Sequence, residues 1–201
     1  MSSLQTTEQD WLSVFTSRGA LREGHFLLSS GRHSDRYVQC AAVLDDPHLA
    51  GEIAEVIRAQ LTKPFDRVLA APMGGLLIGH EVARAAGVRL IFPERDADGS
   101  FRFRRGFSID PGERLCVIED VITTGRTTRE LFALVEGAGG TVAGVGAIVD
   151  RSATHEVDGH PIRAALVVAL SAYAPEDCPL CAAGAPFTKP GSRPLAQRST
   201  A

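Results

Sequence analysis

Apolar positions along the chain keep two rhythms. Leu49, Ile53, Ala54, Ile57 and Leu61 recur at spacings near the helical period, which predicts an amphipathic helix after Asp45-Asp46-Pro47. Trp11, Val14 and Phe15 predict a shorter first helix, with Thr7 as its cap and Gly19 at its end. Between them, GHFLLSSGRHSDRYVQC reads as two short strands, 25–28 and 36–40, around a polar turn. Further on, apolar runs predict strands at 68–71, 88–92, 115–118, 142–150 and 162–171. Helices separate them: PMGGLLIGHEVARAAG, opened by glycines and closed by Gly87, and then 127–136. The stretch 95–105 reads as a hairpin turning at Asp98-Gly99. Strands alternating with helices imply an α/β fold, with a mostly parallel sheet joined by right-handed crossovers.

Length and composition narrow this picture only a little. A chain of 201 residues suffices for one such domain, and neither an internal repeat nor a second domain is visible. The net charge of −3 lacks the basic excess of a general nucleic-acid binder. No apolar run approaches the ~20 residues of a membrane span. The N-terminus MSSLQTTEQDW lacks the basic-then-apolar order of a secretory signal, so the expected location is cytoplasmic. Cys40 and Cys116 sit in apolar runs and read as small core residues. All basic residues except Lys63 and Lys189 are arginine.

Chemistry concentrates in VIEDVITTGRTTRE, 117–130. In open parallel sheets, ligands bind beyond the carboxyl ends of strands, and Glu119 and Asp120 fall at such an end. Val121, Ile122, Thr123, Thr124, Gly125, Arg126, Thr127 and Thr128 follow as a helix begins. Gly125 permits a positive φ and a close ligand approach. Amides at the helix start, together with threonine hydroxyls, suit a phosphate monoester. The two carboxylates would repel that phosphate unless they faced sugar hydroxyls, with magnesium nearby. The Gly-Lys-Ser/Thr of a P-loop and the dinucleotide fingerprint are both absent. The plainer alternative is an ordinary, well-capped strand–loop–helix junction.

This stretch resembles the ribose-phosphate signature of type I phosphoribosyltransferases, and other segments resemble the orotate phosphoribosyltransferases among them. Ser30, Gly31 and Ser34 in FLLSSGRHSDRYV match a segment that forms part of a hood over the base; the resemblance puts this hood at about 1–40. Ser29 stands where some members have lysine. APMGGLLIG resembles the diphosphate-binding loop, where Gly74 and Gly75 let backbone amides approach phosphate oxygens. GVGAIVDRS ends at Asp150-Arg151, and the family has an arginine here that holds orotate; a guanidinium fork fits that planar anion.

The resemblance implies transfer of 5-phosphoribosyl from its 1-diphosphate to orotate, with Mg2+ held mainly by substrate and Glu119 and Asp120 nearby. It assigns the sugar-phosphate substrate to 119–127, Gly74, Gly75 and Arg95, and orotate to Thr123, Arg151, Ser30 and Gly31. It also implies a homodimer with shared active sites, acting on small molecules and on neither nucleic acid nor membrane. The family's mobile basic loop corresponds to FPERDADGSFRFRRGF, which has no lysine. Arg95 is the first candidate for its catalytic cation and Arg104 a weaker one; Asp120 is the other catalytic candidate. Arginine stabilises departing diphosphate but is a poor proton donor. Asp96 and Asp98 would repel phosphate if they turned inward. Competing readings are a purine-type phosphoribosyltransferase and a non-catalytic sensor of phosphoribosyl diphosphate.

The tail from about 175 to 201 is rich in Pro, Gly and Ala and is expected to lie irregularly over the surface. Its Cys178 and Cys181 are spaced as half of a zinc site, with His155 and His160 as the nearest histidines; zinc, redox and inert roles all remain open.

Overall fold

The computed structural model describes residues 8–28 and 30–190, so the predicted Thr7 cap and Ser29 lie outside the described residues. Helix α1 (Glu8–Ser17) leads into an antiparallel hairpin of β1 (Leu21–Leu27) and β2 (His33–Val38). The hairpin starts earlier than its apolar run predicts, because ladder bonds with β2 continue back to Leu21 through a bulge between Glu23 and Phe26. A four-residue turn of helix, α2 (Ala41–Leu44), precedes α3 (Pro47–Gln60). Asp46 starts α3 as expected for an N-cap, its carboxylate accepting from the His48 and Leu49 amides at 3.0 and 3.3 Å.

Among the described residues, six strands form the central sheet: β3 (Arg67–Ala70), β4 (Arg89–Ile91), β7 (Arg114–Ile122), β8 (Thr141–Asp150), β9 (Glu156–Val157) and β10 (His160–Val167). Their order is β4-β3-β7-β8-β10-β9, parallel except for β9 against β10. Helices α4 (Gly75–Ala86) and α5 (Arg126–Gly137) make the crossovers. Strands β5 (Glu94–Arg95) and β6 (Phe101–Arg102) form a separate short hairpin, turning at Gly99 as predicted.

The sheet is covered on both faces, which explains its near-continuous apolar strands. On one face Ile53, Ile57, Ile78 and Val82 from α3 and α4 meet Val68, Ile118 and Ile148, with Trp11 and Phe15 of α1 alongside. On the other, Leu131, Phe132 and Val135 of α5 meet Val117, Val145 and Ala147.

In the central sheet the ends of two strands shift in ways that matter for the site. Strand β7 runs on through the acid pair to Ile122, because β8 continues its ladder there: Glu119 pairs with Ala147 and Ile122 with Asp150. The acids therefore lie inside the strand rather than beyond it. Strand β10 stops at Val167, and the following segment leaves the sheet to meet the hairpin. Residues 175–190 of the tail form local structure that their composition does not suggest. A 3₁₀ turn (Pro175–Asp177) and a one-turn helix α6 (Pro179–Ala182) lead into backbone bonds between Thr188 and the His25–Leu27 edge.

Candidate functional site

The site is built at the carboxyl ends of β3, β7 and β8. After β7 the chain turns at Gly125, whose φ of 69° lies in the left-handed region. A Cβ there would sit 2.8 Å from Val157 Cγ2, so this tight turn also depends on having no side chain. Thr123 and Thr124 are exposed, and α5 begins at Arg126. Arg129 braces the turn from behind: its Nη1 donates to the Thr124 carbonyl at 2.7 Å, and its Nε pairs with Asp158 at 2.8 Å. Exposed hydroxyls and unpaired first-turn amides make this loop a cradle for an anion.

The two acids are not equivalent. Neighbouring residues in a strand face opposite ways. Glu119 is buried and accepts a hydrogen bond from the buried Thr128 hydroxyl of α5. Burial raises its pKa to about 7, with the Asp120 and Glu130 charges adding to the rise and the Thr128 bond opposing it. Asp120 is half-buried and lies against Gly74. A Cβ on Gly74 would come 2.1 Å from Asp120 Oδ2, so only glycine lets the loop after β3 close onto this carboxylate. A Cβ on Gly75 would meet backbone instead, 2.8 Å from the Ile118 carbonyl. The peptide between Pro72 and Met73 in this loop is cis. The two carboxylates thus differ in setting: Asp120 lies against the loop after β3, while Glu119 is buried against Thr128 of α5.

Arg151 follows β8, its amide donating to the Ile122 carbonyl at 2.8 Å. Its Nε is buried with no hydrogen-bond partner among the described residues, and desolvation lowers its pKa. Tyr37 of β2 is close enough to oppose that shift; burial raises the tyrosine's own pKa, with Cys40 and Asp120 adding to the rise. The hairpin's Asp35 also carries a buried oxygen with no hydrogen-bond partner among the described residues. Sequence reasoning missed Asp35 and Tyr37, although strand alternation along SDRYV puts both on one face.

The remaining predicted residues divide. Gly31 closes the β1–β2 turn with φ 78°, its amide donating to the Leu28 carbonyl at 2.9 Å, and Ser30 is exposed beside it. Ser34 is fully buried and donates to the Ser171 carbonyl at 2.7 Å, so it ties the hairpin to the chain after β10. In the basic hairpin, Arg95 bonds Glu130 of α5 at 2.8 Å and the Gly99 carbonyl at 2.5 Å, and it lies 3.8 Å from the Phe101 ring centroid. Arg126 reaches the same Glu130 at 3.0 Å. Both cations therefore stand beside the first turns of α5. Arg102 and Arg104 share Asp96, and Arg105 pairs with Glu94. Asp96 is thus neutralised within the hairpin itself.

The cysteines of the tail do not meet His155 or His160. His155 bonds the buried Asp150 at 2.7 Å, and His160 packs on Phe132. Cys178 and Cys181 instead face His25 and His33 of the hairpin. The two histidines in GHFLLSSGRH were the available signal.

Comparison with known proteins gives a consistent picture. No family model matches the chain. A relative from Pelotomaculum thermopropionicum called orotate phosphoribosyltransferase is 47% identical over 190 residues, covering 94% of this chain and 100% of its own. One of the same description from Heliobacterium modesticaldum is 48% identical, covering 90% and 96%. Among solved structures, orotate phosphoribosyltransferase from Aeropyrum pernix superposes with a TM-score of 0.63 at 24% identity, over 78% of this chain and 92% of that one. The Mycobacterium tuberculosis enzyme in complex with inorganic phosphate gives 0.62 at 24%, over 81% and 96%. These two structures bear on the fold alone.

Proposed function

The chain belongs to the orotate phosphoribosyltransferase family, and from that premise we propose how its residues carry 5-phosphoribosyl from 5-phospho-α-D-ribose 1-diphosphate to orotate. The products are orotidine 5′-phosphate and diphosphate, in pyrimidine synthesis. The Thr123–Thr127 turn holds the 5′-phosphate through first-turn amides and hydroxyls. Asp120 accepts from a ribose hydroxyl, and its charge favours the positive anomeric carbon of an oxocarbenium-like transition state. Glu119 supports the same edge from below through Thr128. Gly74 and Gly75 admit the diphosphate close to backbone amides.

The oxygen-only donor set at the end of β7 suits magnesium, with Asp120 the foremost carboxylate and substrate supplying most ligands. When bound, the ion neutralises charge on the departing diphosphate. Arg95 supplies further positive charge, held in readiness by Glu130. Orotate brings its own nucleophilic nitrogen, so positioning accounts for much of the rate.

The observation that carries the base assignment is the buried, unpartnered Arg151 Nε beside Tyr37. An orphaned donor of this kind has a large incentive to meet an anion. Orotate, with a ring carboxylate and carbonyls, supplies one, and a purine base does not. Thr123, Ser30 and Gly31 border the same pocket in this reading. We read the chain as one phosphoribosyltransferase domain acting as a cytoplasmic homodimer on small molecules; among the described residues no helix is long and apolar enough to cross a membrane.

Following orotate absorbance with phosphoribosyl diphosphate and magnesium tests the reading. Orotate consumption is expected. Turnover of a purine base instead would assign a purine-type enzyme, and tight substrate binding without any turnover would favour the sensor.

A further inference from the structure

We propose that His25, His33, Cys178 and Cys181 form a structural zinc site that clamps the C-terminal tail onto the β1–β2 hairpin. The four potential ligand atoms all lie within 4.8 Å of one another, and His25, His33 and Cys178 are buried. Cys178 Sγ is 3.5 Å from His25 Nε2, while Cys181 Sγ is 3.7 Å from that nitrogen and 3.2 Å from His33 Nδ1. Tetrahedral zinc, with Zn–S about 2.3 Å and Zn–N about 2.0–2.1 Å, places neighbouring ligands roughly 3.3–3.8 Å apart. The sulfur–nitrogen distances fall in or beside that range. The two nitrogens face each other at 2.7 Å, and a small rotation of one ring opens them to it.

Local structure on both sides orients the ligands. The β1–β2 register sets His33 opposite Leu27, and His25, within the bulge between Glu23 and Phe26, meets its ring with centroids 4.8 Å apart. On the tail, Cys178 precedes the one-turn helix and Cys181 lies within it; the Ala182 amide donates to the Cys178 carbonyl at 3.1 Å, and the turn brings both sulfurs to one side. His25 Nδ1 lies 2.8 Å from the Ala185 carbonyl. A carbonyl only accepts, so Nδ1 carries the proton and the Nε2 lone pair is turned toward the sulfurs. Outer partners of this kind commonly fix the tautomer of a metal-bound histidine. Phe187 covers both rings, with centroids 5.7 and 5.2 Å away.

Charge and bonding also balance. Zn2+ binds two thiols as thiolates and releases two protons, and two neutral imidazoles complete a site of no net charge. A tetrahedral S2N2 set is the one zinc favours. The site does not depend on the proposed reaction, because none of its ligands has a part in it.

The test is metal content by mass spectrometry on full-length protein expressed with added zinc. About one zinc per chain is expected. Cys181→Ser and His33→Asn should each lose at least tenfold, and His160→Asn should keep its zinc. Cys181 is exposed, so its serine variant should fold. As a measurement needing no variant, reduced apoprotein titrated with Co2+ should develop the visible bands of tetrahedral, thiolate-ligated cobalt, saturating at one equivalent. Limited chymotrypsin digestion of the zinc-free protein should then cut the tail after Phe187 faster than in the loaded protein. Wild-type protein without zinc and without the cobalt spectrum, a Cys178–Cys181 disulfide in its place, or metal lost with His160 rather than His33 would each overturn the site.

Discussion

Arg151 keeps a buried guanidinium nitrogen without a partner, an arrangement that costs free energy unless a ligand answers it. A charge-assisted hydrogen bond contributes about 1.5–3 kcal/mol, so Arg151→Ala should raise the Michaelis constant for orotate roughly 10–100-fold. The constant for phosphoribosyl diphosphate should change far less; equal rises in both would argue against base recognition. Asp120→Asn keeps the shape but removes the charge, and kcat should fall roughly 100-fold if that charge steadies the transition state. Unchanged kinetics would refute the role.

Glu119 makes a different prediction, because it is held near pKa 7 by burial against an ordinary value of 4.5. Between those values the folded chain binds the proton that the unfolded chain has released. Stability therefore falls as pH rises through that window and stays at the lower level above it. Glu119→Gln removes this dependence and should be more stable than the parent near pH 8 by about 1–3 kcal/mol. Urea unfolding of both proteins across the window checks it, and parallel curves would count against a buried, protonatable Glu119.

At the scale of elements, the glycines of the loop after β3 separate activity from stability. Gly74 already has a helical φ of −62°, so alanine is acceptable there to the backbone; the three atoms nearest an added Cβ all belong to the Asp120 carboxylate. Gly74→Ala should displace that carboxylate and lower kcat roughly as Asp120→Asn does, with little change in melting temperature. Gly75→Ala meets the Ile118 carbonyl and the Glu119 Cα at 2.8 and 3.1 Å, which cannot swing aside, and should cost about 1–3 kcal/mol of stability. Thermal melts beside kinetics distinguish the two.

The same scale shows what the sequence made legible. Long periodic elements such as α3 and α4, and the strand–helix alternation, could be read because apolar spacing reports burial directly. The true end of β7 could not. Glu119 and Asp120 look like loop residues, and only the β8 ladder, a tertiary partner, keeps them in the strand. The two-residue strand β9 carries too few residues for any period to show. The cysteine ligands were visible as a pair, but their histidines lie about 150 positions away, joined by a fold the spacing does not encode.

For the whole molecule, the mechanism turns on where Arg95 acts. Within one chain its guanidinium is held by Glu130, the residue that also holds Arg126 at the start of α5. That position neighbours the proposed phosphate cradle of its own chain, whereas the family resemblance has the basic loop closing over a partner's site. Mixing variants decides between them. Arg95→Ala and Asp120→Asn should each be severely impaired alone, since each removes a charge from the transition state. If sites are shared, a mixed dimer gathers both defects in one site and leaves the other intact. An equal mixture, after subunit exchange, should then regain about a quarter of wild-type activity, because half the dimers are mixed and each has one whole site. If Arg95 serves its own chain, every site in the mixture keeps one defect and activity stays at the level of the variants. Light scattering on the same samples supplies the other half of the test: a fully active monomer would rule out shared sites whatever the mixture does.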